Sequence, residues 1–425
     1  MNAYAVVVLA ALVAQFLLHT VADGLNVGAL GRAAPGVVKD LYSQEDYERS
    51  GRYVRAATLV QVLERALLLA VVLAFWFLGG FGWLDAQVRA TIDGDVLRGL
   101  LYVGSLMAGY AAIGLPFDVY RTFAVEQRFG FNRTSPATFV SDRLKELALV
   151  VLIGGALLAG VQLLFLHAGG AAWLWCWVVV IGFSLLTQLI APALILPLFN
   201  KFTPMPDGTL RNAILDYARS VRFPVENVYV IDGSRRSSRA NAYFTGLGRH
   251  KRIALYDTMV DQHTVPELVA VLAHEVGHYR RRHVMKGLLL AAAHAGVALY
   301  LLSFFLGRPG LYAAFFLSEP SVYAGLVFFT LLYTPIDAVL SMGLNVLSRR
   351  NEYEADRFAL ATAPGPCRLP DALKKLAVVN LSNPNPHPLY VFVNYSHPPL
   401  GLRLRAIDEY LHSPEASGRR TPAAA

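Results

Sequence analysis

The chain has 425 residues, of which 55% are apolar and 16% charged, and its mean hydropathy is +0.43. That balance excludes an ordinary soluble globular protein and points to a polytopic membrane protein. The net charge of +8 is better read as Lys and Arg retained in cytosolic loops than as a nucleic-acid footprint, so no nucleic-acid partner is expected; the two cysteines, Cys176 and Cys367, are too few for a disulfide framework or a cysteine zinc site.

Seven apolar segments are long enough to span a bilayer, at approximately 4–21, 57–84, 97–115, 147–166, 172–196, 284–306 and 322–347. The first has no basic n-region and no clear cleavage site, and reads as a retained helix. The 1–2 loop carries Arg32, Lys39, Arg49, Arg52 and Arg55, and the 3–4 loop carries Arg121, Arg128, Arg133, Arg143 and Lys145. The 5–6 segment and the C-terminal tail are also basic. The opposite side offers mainly Arg89 and Arg308. The positive-inside rule then puts the N-terminus outside and the C-terminus in the cytosol.

Two polar stretches can hold a catalytic domain, 199–283 and 348–412. In the first, Asp207-Gly208-Thr209 looks like a helix start, 227–232 and 251–257 alternate like strands, and 241–248 reads as a third strand and turn. A helix is expected over 265–282, with Pro266 in its first turn. The segment 348–360 is expected to be helical and to run straight out of the seventh span. Gly130-Phe131-Asn132 marks an ordered 3–4 loop, and 413–425 reads as a disordered tail. The resulting division is helices 1–5 in 1–198, the first part of a candidate catalytic domain in 199–283, helices 6 and 7 in 284–347, and the rest of that domain in 348–412.

The chemistry centres on His274-Glu275-Val276-Gly277-His278. Two histidines at i and i+4 lie on one helical face and can share one Zn²⁺, while the glutamate between them can take a proton from the water the metal activates. The motif ends about six residues before the sixth apolar segment, roughly 9 Å at helical rise. It falls in the 5–6 segment and is therefore expected to face the cytosol. A third ligand is required. Glu352, just past the seventh span, is the candidate, with Glu354 and Asp356 as rivals; Asp356 can instead accept a hydrogen bond from a ligand histidine. The plainer reading of these acids is a solvated helix start.

His397, before two prolines, sits on stiff backbone and can donate to an oxyanion, although a plain loop histidine has the same spacing. Arg403 can do the same or bind a product carboxylate. Asn241-Ala242-Tyr243 is a candidate strand for pairing with an extended peptide, or simply core. His283 and Lys286 read as interfacial anchors. His19, Asp23, Glu64, Arg65, Gln188, His294, Asp337 and Asn345 lie within or at the ends of spans and suggest an internal polar space. Glu64 and Arg65 point to different helix faces and need not pair with each other.

These motifs resemble those of the type I CAAX prenyl endopeptidases, which are integral-membrane zinc metalloproteases. The similar stretches are FAVEQRFGFNRTSPATF (123–139), LPLFNKFTPMPDG (196–208), SRRSSRANAYFTGLG with KRIALYDT, SRRNEYEADRFA and SHPPLGLRLRAI, all in the family's order. The resemblance implies zinc held by His274, His278 and Glu352, Glu275 as general base, and His397 with Arg403 stabilising the transition state. It further implies a mainly α protein: seven transmembrane helices around an intramembrane chamber, capped by a small α+β, gluzincin-like metalloprotease domain. The chain departs from the family at Ser238-Arg239-Ala240-Asn241, where His-Ser-Asn often precedes the alanine, and at Leu402, where an acid is common.

The expected function is a zinc-dependent membrane endopeptidase acting on membrane-associated or prenylated CAAX-type peptide or protein substrates. The Ala-, Gly- and Arg-rich composition suggests a bacterial inner membrane. Two alternatives fit parts of the pattern: a quality-control protease resembling the HtpX type, and a non-catalytic transporter-like or scaffold protein with a vestigial zinc helix.

Overall fold

The computed structural model describes residues 1–31, 42–245 and 251–414. Seven helices among them are long and apolar enough to cross a membrane. These are α1 (Ala3–Ala29), α2 (Gln44–Phe77), α4 (Asp95–Glu126), α5 (Pro136–His167), α6 (Gly169–Phe199), α10 (His283–Phe305) and α12 (Val322–Thr362). A further helix, α3 (Gly80–Thr91), follows α2. The second span was expected to run to 84, but α2 stops at Phe77 because Gly79 takes a left-handed conformation at φ 78°. The chain then turns into α3, whose Phe81 packs edge-to-face on Phe315 and Phe328. Buried Trp76 stacks on Phe315 and donates to the Ala314 carbonyl. That aromatic cluster packs the end of α2 and the start of α3 against the residues around Phe315 and Phe328.

The extramembrane part holds a four-stranded sheet of order β1-β2-β4-β3. Its strands are β1 (Phe202–Pro204), β2 (Val225–Ile231), β3 (Ala242–Thr245) and β4 (Lys251–Tyr256). β2 and β4 run parallel, while β1 and β3 pair antiparallel on either side. β1 is three residues long, too short to show periodicity in sequence. The helix α7 (Thr209–Ser220) supplies Ile214, Tyr217 and Ala218 to the core, which also takes in Ile253 and Leu255 of the sheet. The short α8 (Asp257–Gln262) leads to α9 (Val265–Arg280), whose Val269, Leu272, Ala273 and Val276 pack into the same core.

α9 begins with a capping box: the Thr264 side chain and the Glu267 carboxylate satisfy each other's backbone amides, and Pro266 fits the first turn. It ends at Arg280, two residues short of the sequence expectation, because Arg282 adopts φ 56° and reverses the chain into α10. The short α11 (Pro309–Ala313) lies between α10 and α12. α13 (Leu369–Val379), α14 (Pro388–Asn394) and α15 (Leu400–Leu411) complete the fold.

α12 has 41 residues. At helical rise it is about 61 Å long, roughly twice a hydrocarbon core. It is therefore longer than a span requires, and its last turns pack beside α9. The two helices meet closely at Gly277, where an added Cβ would lie 2.9 Å from the Ala355 Cα and 3.1 Å from the Phe358 Cβ. Only glycine permits that approach.

Most polar groups of the spans are paired across helices. Asp23 binds Arg65 at 2.9 Å, Glu64 binds Arg121 at 2.6 Å and Asn345 donates to the Val393 carbonyl, whereas His294 Nε2, 3.6 Å from Asp337, has no hydrogen-bond partner among the described residues. Glu64 and Arg65 thus face different partners.

Candidate metal centre and active site

α9 presents His274 and His278 one turn apart, with Nε2 atoms 3.1 Å from each other. Glu352, toward the C-terminal end of α12, meets them. Its Oε1 lies 3.2 Å from Nε2 of His278 and its Oε2 3.5 Å from Nε2 of His274. One atom from each of the three residues lies within 4.8 Å of the others. Glu352 is 3% exposed, and its Oε2 is buried without a hydrogen-bond partner. A buried carboxylate whose two oxygens each face an imidazole nitrogen is a set of converging lone pairs, and a cation satisfies it. Two nitrogens and a carboxylate suit a catalytic zinc, which keeps a fourth position open.

The opposite nitrogen of each histidine is also engaged. Nδ1 of His274 donates to Asp356 Oδ1 at 2.8 Å. Asp356 is buried and is clamped by Arg403, which donates through Nη2 to Oδ1 at 2.6 Å and through Nε to Oδ2 at 2.9 Å. Arg403 Nη1 stands 3.4 Å from Glu352 Oε2. Burial alone would drive the His274 imidazole toward neutrality; Asp356 and Glu352 on its two nitrogens outweigh this and lift its pKa to about 9. Arg403 is therefore surrounded by the centre's carboxylates, with its side chain 11% exposed.

Glu275 is partly buried and lies between His274 and His278 in α9. Burial pushes its carboxyl above the usual carboxylate range, and Glu352 adds to the effect, while His274, His278 and His397 oppose it. His397 has a side chain 67% exposed, with Nε2 3.4 Å from Glu352 Oε1. The helix that leads into its loop, residues 388–394, is pinned to α12: Asn345 donates to the Val393 carbonyl, and Arg349 donates to the carbonyls of Val391 and of Tyr395, at the start of the loop. Thus α12 carries Glu352 and Asp356 and also anchors the chain just ahead of His397.

Sequence reading missed one pair of contacts here. His283 is not an interfacial anchor, because it is buried, at 5% exposure. Its Nδ1 lies 3.1 Å from Nδ1 of His278, and its Nε2 3.2 Å from Oε2 of Glu354. No helical spacing signals this, since the left-handed turn at Arg282 separates the two histidines.

Asn241, Ala242 and Tyr243 lie at the start of β3, the edge strand of the sheet. Ala240 and Ala242 pack with Leu268 of α9, so the strand is seated against the helix that carries the histidines. Part of the third predicted strand and turn, 246–248, lies outside the described residues, as do Arg32 and Lys39 and most of the tail. The loop holding Gly130-Phe131-Asn132 is ordered and docks just upstream of β3. Ser238 donates from N to the Phe131 carbonyl and from Oγ to the Gly130 carbonyl, and Gly130 has φ 83°. Arg239 pairs with Glu126 and lies 4.2 Å over the Phe131 ring. The side chain at this departure from the family pattern thus has its own site.

Comparison with known proteins agrees with this geometry. Residues 26–201 match the family model described as the CAAX prenyl protease N-terminal region with five membrane helices, and residues 204–411 match peptidase family M48. A CAAX prenyl protease 1 homolog of Arabidopsis thaliana is 33% identical over 406 residues, covering 93% of this chain and 96% of the relative. CAAX prenyl protease 1 of Saccharomyces cerevisiae is also 33% identical, with 88% of each chain covered. The crystal structure of S. mikatae Ste24p superposes with a TM-score of 0.90 at 30% identity, covering 96% of this chain and all of that one. With a shared fold, a third of its residues in common over nearly full length and a peptidase model across the helices that carry His274, His278 and Glu352, the chain belongs to the CAAX prenyl protease 1 family and is a membrane-embedded metalloendopeptidase.

Proposed function

We propose that the metal is a single Zn²⁺ per chain, held by His274, His278 and Glu352. The observation that carries this is the convergence of the buried Glu352 carboxylate on both imidazoles, with Oε1 3.2 Å from Nε2 of His278 and Oε2, which has no hydrogen-bond partner among the described residues, 3.5 Å from Nε2 of His274. When bound, zinc supplies Lewis-acid polarisation of the scissile carbonyl and acidifies water. Glu275 takes the proton from the attacking water and delivers it to the leaving amine; a carboxyl raised by burial suits both steps. His397, exposed beside the ligands, donates to the developing oxyanion. Arg403 acts chiefly by holding Asp356, and through it the His274 ring.

The substrate is an extended peptide that pairs with the edge strand at Asn241-Ala242-Tyr243. Its class is a membrane-associated, prenylated CAAX-type peptide or protein, a reading supported by what the relatives are called. The intramembrane polar groups support an interior chamber through which such a substrate reaches the metal. The division into helices 1–5, metalloprotease segment, helices 6–7 and C-terminal metalloprotease part is supported by the family-model boundary near residue 201. The charge asymmetry of the loops supports a cytosolic zinc site and an external N-terminus, and the composition supports a bacterial inner membrane.

The test is cleavage of a farnesylated CAAX peptide and its unprenylated twin by the purified, metal-defined enzyme. Preference for the farnesylated peptide, with loss on chelation and recovery on adding zinc, is expected. Equal cleavage of both would remove the prenyl requirement and leave the zinc peptidase standing. Chelator-insensitive cleavage would remove the zinc.

A further inference from the structure

We propose that His283 and Glu354 form a second positioning relay on the metal centre, fixing the His278 ring as Asp356 and Arg403 fix that of His274. The inference rests on the reading of His274, His278 and Glu352 as the metal site.

Proton counting carries it. His278 turns Nε2 toward His274 and Glu352, so that nitrogen must keep its lone pair for the metal. Its proton is then on Nδ1, which faces Nδ1 of His283 at 3.1 Å. That nitrogen of His283 must accept, which places the His283 proton on Nε2. Nε2 faces Glu354 Oε2 at 3.2 Å, and a carboxylate accepts. Each nitrogen then has one role in the relay, and no proton is missing or duplicated. A ligand histidine whose other N–H has an acceptor is fixed in tautomer and orientation and is a better base toward the metal.

The backbone is built to make this contact. His283 follows Arg282, whose left-handed φ of 56° turns the chain back on α9. The turn sets the His283 ring 5.0 Å from that of His278, at 78° between planes. Glu354 is two residues from Glu352, about 200° round the helix, so it cannot share the metal face. It reaches the site from another side, through His283. The two arms differ in setting: the Asp356 carboxylate is 3% exposed at its side chain, whereas that of Glu354 is 46% exposed. His283 is also the first residue of α10, so the relay ties a membrane helix directly to the metal geometry.

The experiment measures zinc affinity of the full-length protein in detergent by chelator competition, together with the visible spectrum of the cobalt-substituted form. Replacing His283 by Leu, which packs but cannot accept, is expected to weaken zinc binding roughly 10–100-fold and shift the cobalt bands. His283→Asn, whose amide oxygen can take the His278 proton, should recover part of that loss. Glu354→Gln should weaken binding in the same direction by less, and adding it to His283→Leu should cause no further loss. Wild-type affinity and an unchanged cobalt spectrum in both His283→Leu and Glu354→Gln would overturn the relay. If His283→Leu does not fold, the half-exposed Glu354→Gln decides alone. Should Glu352→Ala and His274→Ala also bind zinc like the wild type, the metal site itself is misassigned, which is a separate outcome.

Discussion

Asp356 Oδ1 stands 2.8 Å from Nδ1 of His274, across 82 residues of sequence and at the meeting of α9 and α12. The contact is buried, and Arg403 closes it from the far side with two further bonds. In Asp356→Asn the amide oxygen can still accept from His274, but the charge and the Arg403 clamp are lost. Zinc affinity is expected to fall about 10- to 100-fold, read by chelator competition. An unchanged affinity would mean that the pair serves packing alone.

Glu275→Gln should retain zinc while peptide cleavage falls by about 100- to 10,000-fold or more, the usual reach of a general base. Single-turnover assays on a metal-counted preparation would check it. Full activity in that preparation would sink the role given to Glu275.

His397 touches the metal set only through its 3.4 Å approach to Glu352 Oε1, and its side chain is 67% exposed. His397→Ala is therefore expected to keep zinc and fold and to lower kcat by about 100- to 1,000-fold, with a smaller change in KM. A loss of zinc in place of a loss of kcat would make His397 a ligand.

Gly277→Ala places a methyl group 2.9 Å from the Ala355 Cα and 3.0 Å from its carbonyl oxygen. Backbone cannot yield as a side-chain tip does, so α9 and α12 must separate. A cost of about 1–3 kcal/mol is expected, together with weaker zinc binding, because the gap parts Glu352 from the histidines. Thermal unfolding with and without zinc measures both. A variant as stable and as zinc-avid as the wild type would show that the helices adjust elsewhere.

Burial would raise the Glu267 carboxyl, but Lys375 at 2.9 Å and the Thr264 amide and hydroxyl hold it below its ordinary value of 4.5. A carboxyl depressed in the folded state stabilises fully above its unfolded pKa, and that contribution disappears as pH falls through the lower folded one. Glu267→Gln should thus lower the melting temperature at pH 7 by an amount equivalent to about 1 kcal/mol. The difference from wild type should shrink as pH falls below 4.5 and vanish once the folded-state carboxyl is protonated. A difference independent of pH would falsify the ionic account.

Seven spans, the 3.6-residue spacing of HEVGH and the loop charges could all be read in one dimension, because each depends on neighbours in sequence. Hydrophobic length reports a membrane helix without reference to any partner, and i,i+4 histidines share a face of their own helix. The same local logic placed α9 and the helical continuation of α12, and it separated Glu64 from Arg65. It could not place a break that depends on one dihedral, such as Gly79, nor a strand of three residues such as β1.

The surroundings of the histidines belong to tertiary structure. Glu352, Glu354 and Asp356 sit within five residues, and their sequence leaves open which one faces the metal set. Helix rotation and the close pass at Gly277 set Glu352 on both Nε2 atoms, Asp356 on His274 and Glu354 on His283. Arg403 and His397 both looked free for an oxyanion; in the fold one is enclosed by carboxylates and the other is exposed. His283 read as an anchor until the left-handed turn at Arg282 buried it against His278. The sequence alone determined the kind of enzyme and its membrane setting, since the HEVGH motif, the ordered motifs of the resemblance and the apolar segments are all read along the chain. Only the packing of α9 on α12 decided which side chain does what, since that depends on distances between residues far apart in the chain.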